Sequence, residues 1–169
     1  IIIIMDQKIL NEIIELIQKN NLVLAKKKSI DLMNTNKDND LINNIMGIIN
    51  LKEKKYSDSI NFFKKAISIN SKFLSATTNL AMAYKEVGDK VNSINYLKKA
   101  LSINPNMYDV THELGLLYFQ KNELLQAKKY FLKSIKLNNS YENAYYNLGL
   151  TEFKMEDYKK SIINFKQAI

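Results

Sequence analysis

The sequence predicts an all-α fold of antiparallel helix pairs, and three observations carry that prediction. The composition favours helix, an unbroken 34-residue period runs through the chain, and each period holds two stretches of helical apolar spacing. Of the 169 residues 46% are hydrophobic and 25% charged, enough apolar mass to bury a core. Only four glycines and one proline, Pro105, interrupt a chain rich in helix formers. The period is visible as columns. Small residues recur at Ala25, Ser59, Ser93, Ala127 and Ser161, and again at Ala66, Ala100, Ser134 and Ala168. Gly47, Ala81, Gly115 and Gly149 keep the same step, beside Met46, Leu80, Leu114 and Leu148. Phe63, Leu97, Phe131 and Phe165 complete the set.

The columns divide the chain into a non-repeat start at 1–5 and five units, 6–39, 40–73, 74–107, 108–141 and 142–169, the last cut short. Element by element the third unit is the clearest. Leu80, Ala83, Tyr84 and Val87 space a first helix, Gly88 and Asp89 turn the chain, and Ile94, Leu97 and Leu101 space a second. Asn104, Pro105 and Asn106 then end it. Three glycines fall in mid-helix, where each costs about 1 kcal/mol relative to alanine. A close crossing with the small residues at Ser59, Ala127 and Ser161 justifies that cost. The units are expected to be stable through stacking, since each buries its apolar face only against a neighbour.

The motifs resemble the tetratricopeptide repeat, with its W-x2-L-G-x2-Y, A-x3-F and P signature. The third unit reads Thr77-x2-Leu80-Ala81-x2-Tyr84, Ser93-x3-Leu97 and Pro105. The fourth reads Thr111-x2-Leu114-Gly115-x2-Tyr118 and Ala127-x3-Phe131. The fifth carries Tyr145-x2-Leu148-Gly149 and Ser161-x3-Phe165, and the second Met46-Gly47 and Ser59-x3-Phe63. Departures are Glu12-Ile13 and Ser29 in the first unit, and Asn50 and Glu152 in the tyrosine column. The second and fifth units are therefore expected to pack less well. The resemblance implies an α-solenoid, a right-handed superhelix whose first helices line a concave groove for a peptide or another protein.

Helical geometry names the inner face of those first helices. It carries Asn44, Ile48 and Leu51, then Thr78, Met82 and Lys85, then His112, Leu116 and Phe119, then Tyr146, Leu150 and Phe153. The middle residue is apolar in every unit, Ile14 included. Such a strip suits an amphipathic helix or an extended segment with apolar anchors, though packing against a neighbouring helix would produce the same spacing. A second column runs Asn11, Ile45, Asn79, Glu113 and Asn147. It resembles the asparagine ladder in the repeat arm of O-linked N-acetylglucosamine transferases, where amides contact a peptide backbone, but asparagine is abundant throughout this chain.

Other chemistries have little to stand on. No cysteine is present, which excludes disulfides and thiol nucleophiles. Asp109, His112 and Glu113 share one helical turn, but a single histidine without a second ligand cluster argues for exposed polar residues rather than a metal or acid–base site. No cofactor is expected, and no catalytic residue. All 25 basic residues are lysine. The carboxylate clamp of the family's chaperone-binding members, which uses arginine, is therefore not reproduced, and Leu10, Gln7, Leu41 and Asp109 stand on the inner face instead.

The formal charge of +8 argues only weakly for nucleic acid. Lysine, asparagine and isoleucine dominate while arginine and tryptophan are missing, the mark of an A/T-rich coding sequence. By unit the charge is +1, +3, +2, +2 and 0, without a concentrated patch. Most lysines fall on second helices, read as a solvated outer face.

The expectation is thus a scaffold for protein or peptide partners, cytoplasmic by default and without a membrane span. Two alternatives stay open. The chain could be the amino-terminal arm of a longer enzyme, loosely similar to arms that precede sulfotransferase or glycosyltransferase domains. It could also self-associate through an open carboxyl end, where Phe165 and Ile169 would face water. Ile1–Ile4 is too short for a signal-peptide core, and Met5 could be the initiator.

Overall fold

Apolar residues at helical spacing, interrupted every 15 or so residues by a turn, produce ten helices among the described residues of a computed structural model. The structure describes residues 2–35 and 39–169, with side chains from residue 8 onward. The side chains of the opening isoleucine run, Met5 and Gln7 lie outside the described residues, as do residues 36–38. The helices are α1 (Ile2–Gln18), α2 (Leu22–Thr35), α3 (Asp40–Lys52), α4 (Tyr56–Ile69) and α5 (Leu74–Glu86), then α6 (Lys90–Ile103), α7 (Tyr108–Gln120), α8 (Leu124–Leu137), α9 (Glu142–Lys154) and α10 (Tyr158–Gln167). α1 thus starts at Ile2, ahead of the repeat boundary expected at Asp6.

Two compact units result, residues 1–89 and 90–169, divided at the turn inside the third repeat. In the first, α1 packs on α2 and α3 on α4, while α2–α3 and α4–α5 contacts join successive pairs and α3 lies beside α5. Its core gathers Leu10, Ile13, Ile17, Ala25, Leu32, Ile42, Ile45, Met46 and Ile49. In the second, α7–α8 and α9–α10 are the tightest pairs, α6–α7 and α8–α9 join neighbours, and α7 lies beside α9. Phe131, Leu114, Leu117 and Leu148 fill it.

The helix-to-helix turns repeat a backbone feature that the sequence does not advertise. Asn20, Lys54, Gly88, Asn122 and Glu156 all have positive φ, between 58° and 79°, at one position in each of the five repeats. Only one of them is glycine, the residue that tolerates this conformation without steric cost.

The mid-helix glycines do permit a close approach, and the partner is larger than the small-residue column. A Cβ on Gly115 would lie 2.5 Å from Phe131 Cε1, and one on Gly149 would lie 2.8 Å from Phe165 Cδ1. Phe63 covers Gly47 in the same way. Beside Phe63 and Phe165 a serine closes the crossing: Ser59 Oγ donates to Gly47 O and Ser161 Oγ to Gly149 O, both at 2.9 Å, whereas Ala127 stands at that place beside Phe131.

The two departures from the tyrosine column, in the second and fifth repeats, are buried and hydrogen-bonded. Asn50 and Glu152 are each only 2% exposed. Asn50 Nδ2 donates to Met46 O at 2.7 Å. Glu152 places one carboxylate oxygen 2.8 Å from Lys128 Nζ and accepts from Asn164 Nδ2 at 2.6 Å with the other. A buried polar group so partnered avoids the penalty of an unpaired one. Where the column is tyrosine, lysines of the preceding second helix lie over the rings: Lys64 over Tyr84 at 5.7 Å and Lys98 over Tyr118 at 5.6 Å. Tyrosine and glutamate thus fill one role, that of acceptor for a lysine of the previous repeat. Phe165, expected to face water, is half-buried against Gly149 and Tyr146, whereas Ile169 is fully exposed.

Candidate protein-binding face

In each compact unit two first helices lie side by side, so their outward residues form one face per unit. On α3 and α5 that face carries Ile48, Leu51, Met82 and Lys85, all half-buried. Thr78 turns its hydroxyl back to its own helix, donating to Leu74 O at 3.1 Å and Ser75 O at 2.9 Å. On α7 and α9 the face carries Leu116, Phe119 and Leu150, half-buried, with Tyr146 and Phe153 exposed by 51% and 58%. Ile14 on α1 is likewise exposed.

Two of the residues expected on this face are withdrawn from it. Asn44 and His112 are 4% and 5% exposed, because each lies beneath the next first helix. Asn79 Nδ2 donates to Asn44 Oδ1 at 3.1 Å. His112 sits one repeat pair further on with the same geometry: its Nε2 is 3.0 Å from Asn147 Nδ2, and its Nδ1 is 3.5 Å from the Tyr141 hydroxyl. Its ring also packs against Phe131 and Tyr141, at 5.4 and 5.0 Å between centroids. A donor amide on Nε2 leaves the ring proton on Nδ1, facing the tyrosine. Asn79 and Asn147, two of the three asparagines expected to read a peptide backbone, therefore use their amide N–H groups to join consecutive repeats. Asn147 Nδ2 is further satisfied by Asn143 O at 2.8 Å.

Other residues shape the face unforeseen by spacing. Lys154 Nζ lies 4.6 Å over the Phe119 ring, and Tyr158 meets Phe153 edge-on at 5.5 Å. Tyr141, which closes over His112, continues a column of large residues just ahead of α5, α7 and α9, Phe73, Met107 and Tyr141, and that column is readable in the sequence. Asp109 is exposed while His112 is buried, and among the described residues no three histidine or carboxylate side chains come together to hold a metal ion. No helix among the described residues is long and apolar enough to cross a membrane.

The stacked pairs, their 34-residue step and the side-by-side first helices define a helical-repeat array. The tetratricopeptide repeat profile matches residues 42–73, 74–107, 108–141 and 142–169. The chain belongs to the tetratricopeptide repeat family, whose members generally mediate protein–protein interactions. No curated protein sequence matches it. Among solved structures it is similar to MamA, at 21% identity and TM-score 0.85 over 91% of this chain and 90% of that one. It is also similar to PilF of Pseudomonas aeruginosa, at 18% identity and TM-score 0.86 over 97% and 76%. A third is YrrB, described as a tetratricopeptide repeat protein with an unusual peptide-binding site, at 18% identity and TM-score 0.79 over 95% and 83%. Likeness at these identities concerns the fold.

Proposed function

We propose that the array is an interaction scaffold that takes up a protein segment on its first-helix faces, with apolar side chains as anchors. The observation that carries this reading is the aromatic and aliphatic surface of α7 and α9: Tyr146 and Phe153 are more than half exposed, beside the half-buried Leu116 and Leu150. Exposed aromatics next to an aliphatic strip are what a partner's apolar anchors bury against. The peptide-binding site of the structurally similar YrrB supports the same reading. Asn79 and Asn147 contribute through their carbonyl sides and Lys85 and Lys154 through their charge, while Asn44 and His112 hold the repeats in register.

The test is photo-crosslinking with a benzophenone-bearing side chain in place of Tyr146, in cells, against the same group in place of Ser102 on a second helix. Discrete protein adducts are expected from the Tyr146 position alone. Leu116→Lys should abolish them while leaving stability within about 0.5 kcal/mol, since a half-exposed lysine can carry its ammonium to water. Equal adducts from both positions, or a Leu116→Lys variant that unfolds, would overturn the assignment.

A further inference from the structure

Within residues 90–169 charge is sorted by helix. The second helices α6, α8 and α10 carry ten lysines and no acidic residue, whereas the first helices α7 and α9 carry four acidic residues and one lysine. Compositional drift toward lysine would load all five helices alike, so it does not account for the sorting.

The outer sides of α8 and α10 add a second observation. α8 turns Phe131 onto Gly115 and bonds Ser134 Oγ to Tyr108 O, so its buried side faces α7. Diametrically opposite, within an arc of about 100°, stand Leu125, Lys129, Leu132 and Lys136. α10 turns Ser161 and Phe165 to Gly149 and presents Lys159, Ile162, Ile163 and Lys166 on its opposite side. The four aliphatic residues in these stripes are exposed by 47 to 73%. Leu132 and Ile163 flank one open groove of about 490 Å³, with Leu148 at its floor, so the two stripes lie side by side on one face. Lys128 and Lys160 in that groove are committed to Glu152 and Asp157. Lys129, Lys133, Lys136, Lys159 and Lys166 have no ion pair or hydrogen bond from their side chains among the described residues.

We propose that this outer face of α8 and α10 docks on an anionic lipid surface, with lysines over the headgroup phosphates and Leu125, Leu132, Ile162 and Ile163 entering the interfacial layer. Uncommitted lysines spread around isolated aliphatic side chains match a diffuse plane of negative charge above hydrocarbon. A nucleic acid would leave the aliphatic residues in water, and its usual base reader, arginine, is missing. Glu152, the one first-helix carboxylate that lines this groove, is neutralised there by Lys128 and so does not repel an anionic surface. The face is distinct from the first-helix face assigned to protein partners, so the two proposals stand or fall separately.

Flotation of the full chain with unilamellar vesicles tests it. Binding is expected to vesicles containing roughly one-third phosphatidylglycerol and not to pure phosphatidylcholine, falling steeply as salt rises from about 0.1 to 0.5 M. Changing all five uncommitted lysines to glutamine should weaken partition by about fivefold per residue. Leu132→Asn with Ile163→Asn should weaken it at both salt concentrations, because burial of hydrocarbon is not screened. Leu116→Asn, on the first-helix face, should bind vesicles like the unaltered chain. Circular dichroism confirms that each variant is folded. Equal binding to neutral vesicles, no effect of the lysine changes, or lysine-dependent binding to polyuridylate without binding to vesicles would each overturn the proposal.

Discussion

The glycine–phenylalanine crossings can be tested quantitatively at Gly115 and Phe131. In Gly115→Ala the new Cβ would meet three ring atoms of Phe131 at 2.5, 2.6 and 3.0 Å. Phe131 is fully buried, so the ring has no solvent side to move into. Overpacking of this kind costs about 1–3 kcal/mol, and the better helix propensity of alanine returns about 1 kcal/mol. The single variant should therefore lose about 1 kcal/mol. Phe131→Leu alone opens space against the bare glycine and should lose about 1–2 kcal/mol. Combined, the methyl occupies what the ring vacated, the overpacking vanishes and the propensity gain remains. The double variant should then lie within about 1 kcal/mol of the unaltered chain, a favourable coupling of about 1.5–2 kcal/mol between touching residues. The third repeat already carries this combination in sequence, with Ala81 and Leu97 in the two columns. Urea unfolding of the four proteins, with m-values checked for constancy, measures the coupling. Additive losses within about 0.3 kcal/mol would refute the reasoning, as would a Gly115→Ala variant more stable than the unaltered chain.

Two further outcomes are expected. The left-handed position of each helix turn is strained where it is not glycine, so Lys54→Gly and Glu156→Gly should each stabilise by about 0.5–1 kcal/mol after the entropy of glycine in the unfolded chain is deducted; a lower thermal midpoint for both would show that the positive φ is not costly there. Glu53 accepts hydrogen bonds from Lys55 at 2.7 Å and Lys26 at 2.9 Å, which hold its pKa below the ordinary 4.5. With the folded pKa depressed, its contribution is present above the unfolded value and is lost as pH falls through the folded one. Lys26→Met should raise the Glu53 pKa in a carboxyl NMR titration, with Lys55 keeping part of the depression, and an unchanged titration would remove Lys26 from the account.

Period and helix pairing were legible because stacking demands the same residue volume at the same place in every repeat: Gly47, Gly115 and Gly149 announce a crossing, although the rings of Phe63, Phe131 and Phe165 cover them where the small residues Ser59, Ala127 and Ser161 were expected to. The turn conformation was not legible, since φ near 60° at Lys54 and Glu156 is imposed by the helices on either side and leaves no mark in residue type. Glu152 misled for a related reason. A carboxylate in a tyrosine column reads as a defect until a lysine is shown within reach, and Lys128 reaches it from a position four residues before the one, Leu132, that matches Lys64 and Lys98.

The inner face was half legible, and the half that failed did so systematically. A 3.6-residue periodicity assigns a residue to one side of a helix but says nothing of what lies beyond that side. In a stacked array the outward side of a first helix grades into the side that meets the next first helix, and Asn44 and His112 fall across that border. The polar partner in both instances is 35 residues ahead, Asn79 for Asn44 and Asn147 for His112, one residue past the period. An offset of one period plus one residue brings together neighbouring turns of two adjacent first helices. Polar pairs at that offset thus belong to the joint between repeats, whereas Leu116 and Leu150, at the bare period, stay half-buried on the first-helix face.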